Sequence, residues 1–301
     1  MSRPAAGWQA AVLGSPISHS RSPQLHAAAY QHLGVSISYR RIEVDETTLD
    51  DFLTGEGAEP DWAGWSVTMP LKAAMVPQMT TVSPRVETLG VLNTVQVGAA
   101  GPAGRTLHGE NTDVDGIVTA LQEQGVSRSH TAAGTFAVLG AGGTAAAALA
   151  AAKELGFSQS VVYARSIQRA AAAAPLAEQL GLSLRIRPLG TFGEDIAQPD
   201  CGVVVSTLPP RAADSLVGDL PDRHPAAPVL LDVAYDPWPS ALAAAWEQRG
   251  WAVTSGLEML LHQAVKQVEL FTQHTHSPAA AQSPSEHRKM VRAMRAALGL
   301  G

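Results

Sequence analysis

The residue pattern with the clearest chemical meaning in this chain is a glycine-rich turn between an apolar run, residues 136–139, and an alanine-rich segment. A strand, a tight turn and a helix start in that order are what the pyrophosphate of a dinucleotide requires. Gly140 permits the turn, Gly142 lets the backbone approach the phosphates, and the helix N-terminus presents free N–H groups. Ala145 takes the place of the third glycine, where only close helix–strand packing is needed. An ordinary strand-to-helix turn is the alternative.

The next apolar run, residues 160–164, favours NADP as the dinucleotide. An NAD site carries Asp or Glu at the end of this strand, which accepts a hydrogen bond from the ribose 2′-hydroxyl. This chain has Arg165 there, followed by Ser166 and Arg169, and a guanidinium attracts the 2′-phosphate that an acid would repel. Arg165 and Arg169 can face one phosphate if a helix begins between them. Two solvated surface arginines are the alternative.

Two serines and a lysine are candidates for binding and converting a small substrate. Ser20 and Ser22 lie at a predicted helix N-terminus, where two hydroxyl groups and the helix dipole can bind one carboxylate. The alternative for Ser22 is a simple helix cap. Lys72 follows a predicted strand at the edge where open α/β sheets bind ligands, and it could exchange a proton with a substrate hydroxyl. A solvated surface lysine is the default interpretation.

Further polar side chains lie near the same strand ends. Ser66 and Thr68 face one side of a predicted strand. Asn93 and Asp113 follow in two later segments that are rich in small polar residues. Asp113 near Lys72 would make a charge pair with coupled protonation. Alternatively, Asp113 only caps the helix that begins beside it.

Alternating strand and helix patterns predict the elements that must position these residues. In the first part of the chain, strands are predicted at 10–13, 38–44, 65–68, 91–97 and near 106–108, and helices at 22–32 and 45–53. A helix at 114–124 leads to a second series, with strands at 135–139, 160–164, 184–187, 202–206, 229–233 and around 252–253. Helices at 257–271 and 287–298 follow, with a linker at 272–285. Such alternation predicts mostly parallel sheets, and the second series has the strand number of a dinucleotide-binding domain.

Composition limits the classes to which the chain can belong. Its 301 residues suffice for one large domain or two medium ones, and 21 basic against 27 acidic residues give a net charge of −6. No basic block or stripe with interleaved aromatic residues indicates nucleic-acid binding. A single cysteine, Cys201, excludes an intramolecular disulfide and fits a reducing cytoplasm. Because it lies in an apolar run, we predict a buried core residue.

Three segments could be mistaken for targeting, membrane or metal signals. The N-terminal apolar run is too short for a signal peptide. Residues 134–152 carry no charge, but their four glycines and many alanines favour a buried strand–turn–helix unit over a membrane span. His274 and His276 lack nearby acids or cysteines, so we predict a polar linker and no metal. We expect a soluble, cytoplasmic protein with a small-molecule substrate, acting as a monomer or homodimer, with neither nucleic acid nor membrane as a partner.

Six motifs occur together and in one order along almost the whole chain. They are PISHSRSP (16–23), SVTMPLK (66–72), GVLNT (90–94), GENTDVDG (109–116), GAGGTAAAA (140–148) and GLEMLLHQA (256–264). Each motif is weak by itself. The six in register strongly resemble the shikimate dehydrogenase family.

The resemblance implies a role for each motif residue. Lys72 and Asp113 would be the catalytic pair at the oxygen of the reacting carbon. Substrate would be bound by Ser20, Ser22, Ser66, Thr68, Asn93, Tyr235 and Gln263, with the first two at its carboxylate. NADP would be bound by Gly140, Ala141, Gly142, Gly143, Thr144, Ala145, Arg165, Ser166, Arg169 and Thr207, with Val233, Gly256 and Met259 beside the nicotinamide.

The family's architecture implies an α/β fold with two domains. A mostly parallel substrate-binding catalytic domain would span residues 1–114, and a Rossmann-like, doubly wound NADP domain would span 115–255. C-terminal helices at 256–301 would return to pack on the first domain. Two residues depart from the family's usual pattern, since Ser66 and Ala164 each stand where Asn is usual. Both departures bear on affinity and leave the catalytic groups in place.

The reaction implied by the resemblance is the NADPH-dependent reduction of 3-dehydroshikimate to shikimate, in chorismate and aromatic amino-acid biosynthesis. One rival is a catabolic quinate/shikimate dehydrogenase that uses NAD, and Arg165 and Ser22 count against it. Another is a non-catalytic NADP-binding sensor on the same fold. The presence of both Lys72 and Asp113 counts against that sensor.

Overall fold

Apolar strands and intervening helices assemble into two six-stranded sheets in a computed structural model of the chain. The structure describes residues 7–101, 104–127, 134–273, 275 and 277–300. It divides into two compact units, one containing the described residues up to Thr112 together with those from Gln263 onward, the other Asp113–His262. His274 and His276, considered above as metal ligands, lie outside the described residues.

The first unit contains a mixed sheet in which the parallel part carries the candidate substrate residues. Its strands are β1 (Trp8–Gly14), β2 (Ile37–Glu43), β3 (Trp62–Val67), β4 (Thr81–Val82), β5 (Thr94–Gly101) and β6 (Gly104–Glu110). They lie in the order β2-β1-β3-β5-β6-β4. Strand β1 is parallel to β2 and β3, β5 is antiparallel to β3 and β6, and β4 is parallel to β6. Every residue of β3 is buried.

The second unit contains a wholly parallel sheet. Its strands are β7 (Thr135–Leu139), β8 (Gln159–Ala164), β9 (Ser183–Pro188), β10 (Cys201–Ser206), β11 (Val229–Asp232) and β12 (Val253–Ser255). The order β12-β11-β10-β7-β8-β9, counted from β7 as the first strand, is the 3-2-1-4-5-6 order of dinucleotide-binding folds. In such sheets ligands bind beyond the carboxyl ends of the strands, where the order reverses. That point lies between β7 and β10.

Helices connect the strands and close the chain. In chain order they are α1 (Ser22–Leu33), α2 (Leu49–Thr54), α3 (Leu71–Ala74), α4 (Pro84–Leu89), α5 (Asp113–Glu123), α6 (Gly143–Leu155), α7 (Ile167–Ala170), α8 (Ala174–Leu180), α9 (Phe192–Ile196), α10 (Ala241–Gln248), α11 (Gly256–Phe271) and α12 (Pro284–Ala297). The boundary between the units falls inside α11, between His262 and Gln263. From there the chain returns to the first unit, where α12 packs on α1. Among the described residues, no helix is long and apolar enough to cross a membrane.

Each unit has its own core. In the first, Trp62 and Trp65 of β3 pack edge-to-face with each other and with Phe52 of α2. In the second, Trp246 and Cys201 belong to one buried cluster. Cys201 is 6% exposed, so the prediction of a buried core residue is confirmed, and burial raises the pKa of its thiol to about 12.

The predicted α/β class is confirmed, and most predicted elements are present with their ends shifted by a few residues. The helix predicted at 45–53 was wrong at its start, because it begins only at Leu49. The Asp45 carboxylate accepts hydrogen bonds from the backbone N–H groups of Thr47 and Thr48. This turn takes up the residues that the periodicity had assigned to helix.

Candidate active site

The two serines predicted to bind a carboxylate lie at the N-terminus of α1. Arg21 occupies the N-cap position and its side chain makes no capping bond, while Ser22 is the first helical residue. The interpretation of Ser22 as a simple N-cap is therefore wrong. The Ser22 backbone N–H donates to Ser20 Oγ at 3.4 Å, and the Ser22 side chain is hydrogen-bonded to Tyr39. Ser20 is half-buried and Ser22 is buried.

Thr68 and Lys72 lie just beyond the carboxyl end of β3. The backbone N–H of Thr68 donates to Leu13 O at 2.9 Å, and its carbonyl accepts from Leu71 N at 2.9 Å. Lys72 is half-buried in the short helix α3. Its carbonyl accepts from Leu92 N at 2.9 Å, which holds α3 against the segment that carries Asn93.

Asn93 is the centre of a buried polar network. Its Nδ2 donates to Thr112 Oγ1 at 3.0 Å and to Gln263 Oε1 at 3.2 Å, and its Oδ1 accepts from the Thr112 backbone N–H at 2.7 Å. The structure thus brings together Asn93 and Gln263, which the sequence predicted separately. Asp113 follows Thr112 directly as the first residue of α5 and is 6% exposed.

Gln267 extends this network and was not predicted. Its Nε2 donates to the Asn93 carbonyl at 3.2 Å and to Thr94 Oγ1 at 3.0 Å, while its Oε1 accepts from Ser66 Oγ at 2.8 Å. The Tyr39 hydroxyl donates to the same Ser66 oxygen at 2.6 Å. Because the Ser66 hydroxyl hydrogen is given to Gln267, a ligand can contact Ser66 only by donating a hydrogen bond to it.

His26 completes the network from α1. Its Nε2 lies 3.3 Å from Gln267 Oε1, its Nδ1 lies 3.0 Å from the Tyr30 hydroxyl, and its ring stacks on Tyr39 at 3.9 Å. Burial lowers the pKa of His26 from 6.5 to about 3, and the hydrogen bond with Gln267 opposes this shift in part. The ring is therefore neutral near pH 7. Since Gln267 Oε1 can only accept, Nε2 carries the hydrogen and Nδ1 accepts from Tyr30.

A signal for Gln267 was available in the sequence. Gln263 and Gln267 are four residues apart in a predicted helix, so they share one face. His26 offered no such signal. Two of its partners, Tyr39 and Gln267, come from β2 and α11, which are distant along the chain.

The glycine-rich turn has the geometry that a dinucleotide needs. Gly140 has a φ of +107°, and a Cβ atom there would lie 2.6 Å from Thr207 Oγ1, so only glycine fits. The Thr207 hydroxyl donates to Leu139 O at 2.9 Å, which joins the ends of β10 and β7. Gly142 is the N-cap of α6. Apart from the adjoining chain and the backbone of α6, no atom of the described residues lies within 4 Å of a Cβ placed on Gly142 or Gly143, which leaves room for phosphate oxygens at the helix N-terminus.

The two arginines predicted at a 2′-phosphate flank a helix start. Strand β8 ends at Ala164, and α7 begins at Ile167. The helix therefore begins between Arg165 and Arg169, as a shared phosphate contact requires. Ser166 caps α7, since its side chain accepts from Arg169 N at 3.3 Å. Both arginines are exposed.

Two further predicted cofactor residues, Val233 and Gly256, directly follow β11 and β12. A Cβ on Gly256 would lie 1.9 Å from Val233 O, so these backbones approach too closely for any other residue. Met259 is buried in the first turns of α11, while Val233 and Tyr235 are half-buried. Thr144 is half-buried, Ala141 is exposed, and Ala145 packs into the interior.

Comparison with known proteins covers nearly the whole chain. The sequence model of the shikimate dehydrogenase substrate binding domain matches residues 12–95. The shikimate dehydrogenase (NADP(+)) of Methylobacterium radiotolerans is 37% identical over 260 residues, which is 85% of this chain and 88% of that protein. This chain belongs to the shikimate dehydrogenase family. The resemblance inferred from the six motifs is confirmed, and with it the oxidoreductase class.

Solved structures of the family superpose on this chain. The crystal structure of Mycobacterium tuberculosis shikimate dehydrogenase is 40% identical with a TM-score of 0.78, over 97% of this chain and 98% of that one. The shikimate 5-dehydrogenase of Thermus thermophilus, in complex with NADP(H) and shikimate, is 29% identical with a TM-score of 0.73, over 96% of this chain and 99% of that one. The two-domain α/β fold is therefore that of the family.

Proposed function

We propose that this protein interconverts 3-dehydroshikimate and shikimate with NADP(H). The observation that carries the proposal is the match to an NADP-dependent shikimate dehydrogenase over 85% of the chain, together with the presence of both Lys72 and Asp113. A non-catalytic sensor on the same fold has no need of this pair. The implied place of the reaction is the biosynthesis of chorismate and aromatic amino acids.

The residues of the first unit bind and orient the substrate. Ser20 donates a hydroxyl hydrogen bond to its carboxylate next to the positive end of the α1 dipole, and Ser22 does the same once its hydroxyl turns from Tyr39 to the ligand. Thr68, Asn93 and Gln263 bind the ring hydroxyl groups. The network around Asn93 fixes its amide orientation, because its Oδ1 already accepts from Thr112 N at 2.7 Å. Ser66 accepts a hydrogen bond from the substrate, and Tyr235 of the second unit is a further substrate-binding residue.

Lys72 and Asp113 act on the substrate oxygen. The chemistry that NADPH supplies when bound is a hydride for the ketone carbon. As that carbon becomes tetrahedral, negative charge develops on its oxygen, and the Lys72 ammonium donates the proton that makes it a hydroxyl. Asp113 orients Lys72. In the reverse direction Lys72 takes that proton back. No metal is required for this step.

The residues of the second unit fit NADP. The open space at Gly142 and Gly143 admits the pyrophosphate to the N-terminus of α6. Arg165 and Arg169 bind the 2′-phosphate, with Ser166 between them. The other cofactor contacts are Gly140, Ala141, Thr144, Ala145 and Thr207, with Val233, Gly256 and Met259 beside the nicotinamide.

These roles assign substrate binding to residues 1–114, NADP binding to 115–255 and support of the first domain to 256–301. A monomer or homodimer in the cytoplasm, with a small-molecule substrate and without nucleic acid or membrane partners, fits these roles.

An initial-rate comparison tests the assignment. Shikimate and quinate are each oxidised with NADP and with NAD, at matched concentrations. We expect shikimate with NADP to have the highest kcat/KM of the four combinations. A preference for quinate with NAD supports the catabolic rival, and the absence of turnover in all four supports the sensor.

A further inference from the structure

We propose that Glu123, Glu258 and His262 form a binding site for one first-row divalent cation of the Zn²⁺ type. One carboxylate oxygen from each glutamate and one ring nitrogen of the histidine lie within 4.8 Å of one another. All three residues belong to the second unit. None of them has a role in the binding of substrate or NADP described above.

Two helices bring the three residues together. Glu123 is the last residue of α5, and Glu258 and His262 are four residues apart in α11, so they share one helix face. His262 Nε2 lies 3.2 Å from Glu123 Oε2. Two ligands of one tetrahedral Zn²⁺ ion, each bonded at ~2.0 Å, are separated by ~3.3 Å. The spacing is therefore that of two ligands on one ion.

His262 provides an independent indication of a ligand. Its side chain is 8% exposed, and within the described chain its Nε2 is buried and makes no hydrogen bond. A ring nitrogen that faces a carboxylate at 3.2 Å without hydrogen-bond geometry is satisfied by a cation placed between the two groups. The alternative is a direct contact of His262 with Glu123 that holds no ion.

The ligand types select the class of cation. A neutral imidazole with carboxylates suits Zn²⁺ and similar transition metals. Mg²⁺ and Ca²⁺ prefer sites made of oxygen alone. A dication also balances the two carboxylate charges. Because Glu123 and His262 come from different helices, the bound ion would link the end of α5 to the first turns of α11 and stabilise the second unit.

Calorimetric titration of the EDTA-treated, full-length protein tests the site with Zn²⁺ and Mg²⁺ as probes. We expect one Zn²⁺ per chain, much weaker binding of Mg²⁺, and a melting temperature that rises with Zn²⁺. Replacing a residue that only hydrogen-bonds to a metal ligand typically lowers metal affinity about 10- to 100-fold. Loss of the ligand itself should cost at least as much. His262→Gln should therefore weaken Zn²⁺ binding by at least about tenfold and remove the rise in melting temperature.

Glu123→Gln provides a second variant, since its side chain is 43% exposed and its replacement leaves the core intact. It should weaken Zn²⁺ binding as His262→Gln does. His32→Gln is the matched control, because His32 also lies near a glutamate, 3.8 Å from Glu286, but joins no three-residue cluster in the described chain. It should bind Zn²⁺ like the wild type.

The double variant His274→Gln/His276→Gln tests the other histidine-rich segment and should also bind Zn²⁺ normally. Three results would overturn the proposal. They are absence of Zn²⁺ binding, Zn²⁺ binding that Glu123→Gln and His262→Gln leave unchanged, and binding that is lost in the linker double variant. Without Zn²⁺ binding, the direct contact of His262 with Glu123 is the correct description. Each of these results leaves the proposed dehydrogenase activity untouched, because that activity is measured without added metal.

Discussion

Ser66 and Gln267 show how much of the candidate site is set by contacts between individual side chains. The family's usual Asn at position 66 has both a donor and an acceptor, whereas the serine hydroxyl has one hydrogen to give. Gln267 receives that hydrogen at 2.8 Å, and Tyr39 donates to the same oxygen at 2.6 Å. The polar group at position 66 is therefore not a side chain of β3 alone. It is a hydrogen-bonded group to which Tyr39 of β2, Ser66 of β3 and Gln267 of α11 all contribute.

Gln267→Leu should lower the stability of the protein and raise the KM for shikimate. It leaves two buried donors, the Ser66 hydroxyl and the His26 Nε2–H, without their acceptor, at about 1–3 kcal/mol for each unsatisfied group. The kcat should change much less than KM, because Gln267 positions the side chains that bind the substrate and does not contact the reacting atoms. Urea unfolding and steady-state kinetics measure both effects. Gln273→Leu, at an exposed position, is the control, and equal effects of the two variants would contradict the network.

Lys72→Ala should reduce kcat by about 10²- to 10⁴-fold, the usual contribution of a positioned general acid or base. The dissociation constant of shikimate should change little, since the interaction strengthens as charge develops on the oxygen. Rapid kinetics and equilibrium binding separate the two quantities. Lys289→Ala, in the exposed Lys289–Glu286 pair, should behave like the wild type. A fall in kcat of less than about tenfold, near 1.4 kcal/mol of barrier, would exclude a catalytic role for Lys72.

His26 should make the fold sensitive to mild acid. Its pKa is 6.5 in the unfolded chain and about 3 in the folded one, so the unfolded state binds a proton between these values. The contribution of His26 is fully present above pH 6.5 and is lost as pH falls towards 3. Between pH 6.5 and 5 the loss amounts to about 1.6 kcal/mol. His26→Gln should lose about that much less stability over the interval in urea titrations, and parallel pH profiles would show that His26 is not the group responsible.

At the scale of elements, regular patterns were easier to predict than local turns. The sequence predicted β7, β8 and α11 correctly, because the repeat of apolar residues and the length of each segment together distinguish a strand from a helix. The start of α2 was missed because an Asx turn at Asp45 competes with helix. Helix α4 was also missed, although Ser83 caps it by accepting from Val86 N, with Pro84 in the first turn. Ser-Pro at the start of a short helix was the signal available there.

Arg165→Asp tests the turn between β8 and α7. It should weaken NADP binding sharply, through the lost charge-assisted hydrogen bond and a new repulsion with the 2′-phosphate. NAD binding should improve or stay level, since Asp can accept from the free 2′-hydroxyl. The loss for NADP should shrink as salt increases, because part of it is screened Coulomb attraction. Dissociation constants for both cofactors at two salt concentrations decide the point. Equal losses for NADP and NAD would indicate that Arg165 is structural.

At the scale of the whole molecule, the topology explains why motifs that are far apart along the chain belong to the same site. The parallel order β9-β8-β7-β10-β11-β12 places the switch point at β7 and β10, where the sequence had indicated a dinucleotide turn at Gly140. Gln263 lies far along the chain from Asn93, yet α11 brings it within 3.2 Å of the Asn93 amide. The sequence predicted both residues, but only the return of the C-terminal helices explains why they are in contact.

The most direct test of the central claim follows the hydride itself. Wild-type protein is incubated with 3-dehydroshikimate and NADPH that carries deuterium at the transferred position of C4, and the products are examined by mass spectrometry and NMR. We predict shikimate with one deuterium on the former ketone carbon, formed in equal amount to NADP⁺. NADPH that remains unconsumed, or shikimate without deuterium, would contradict the account.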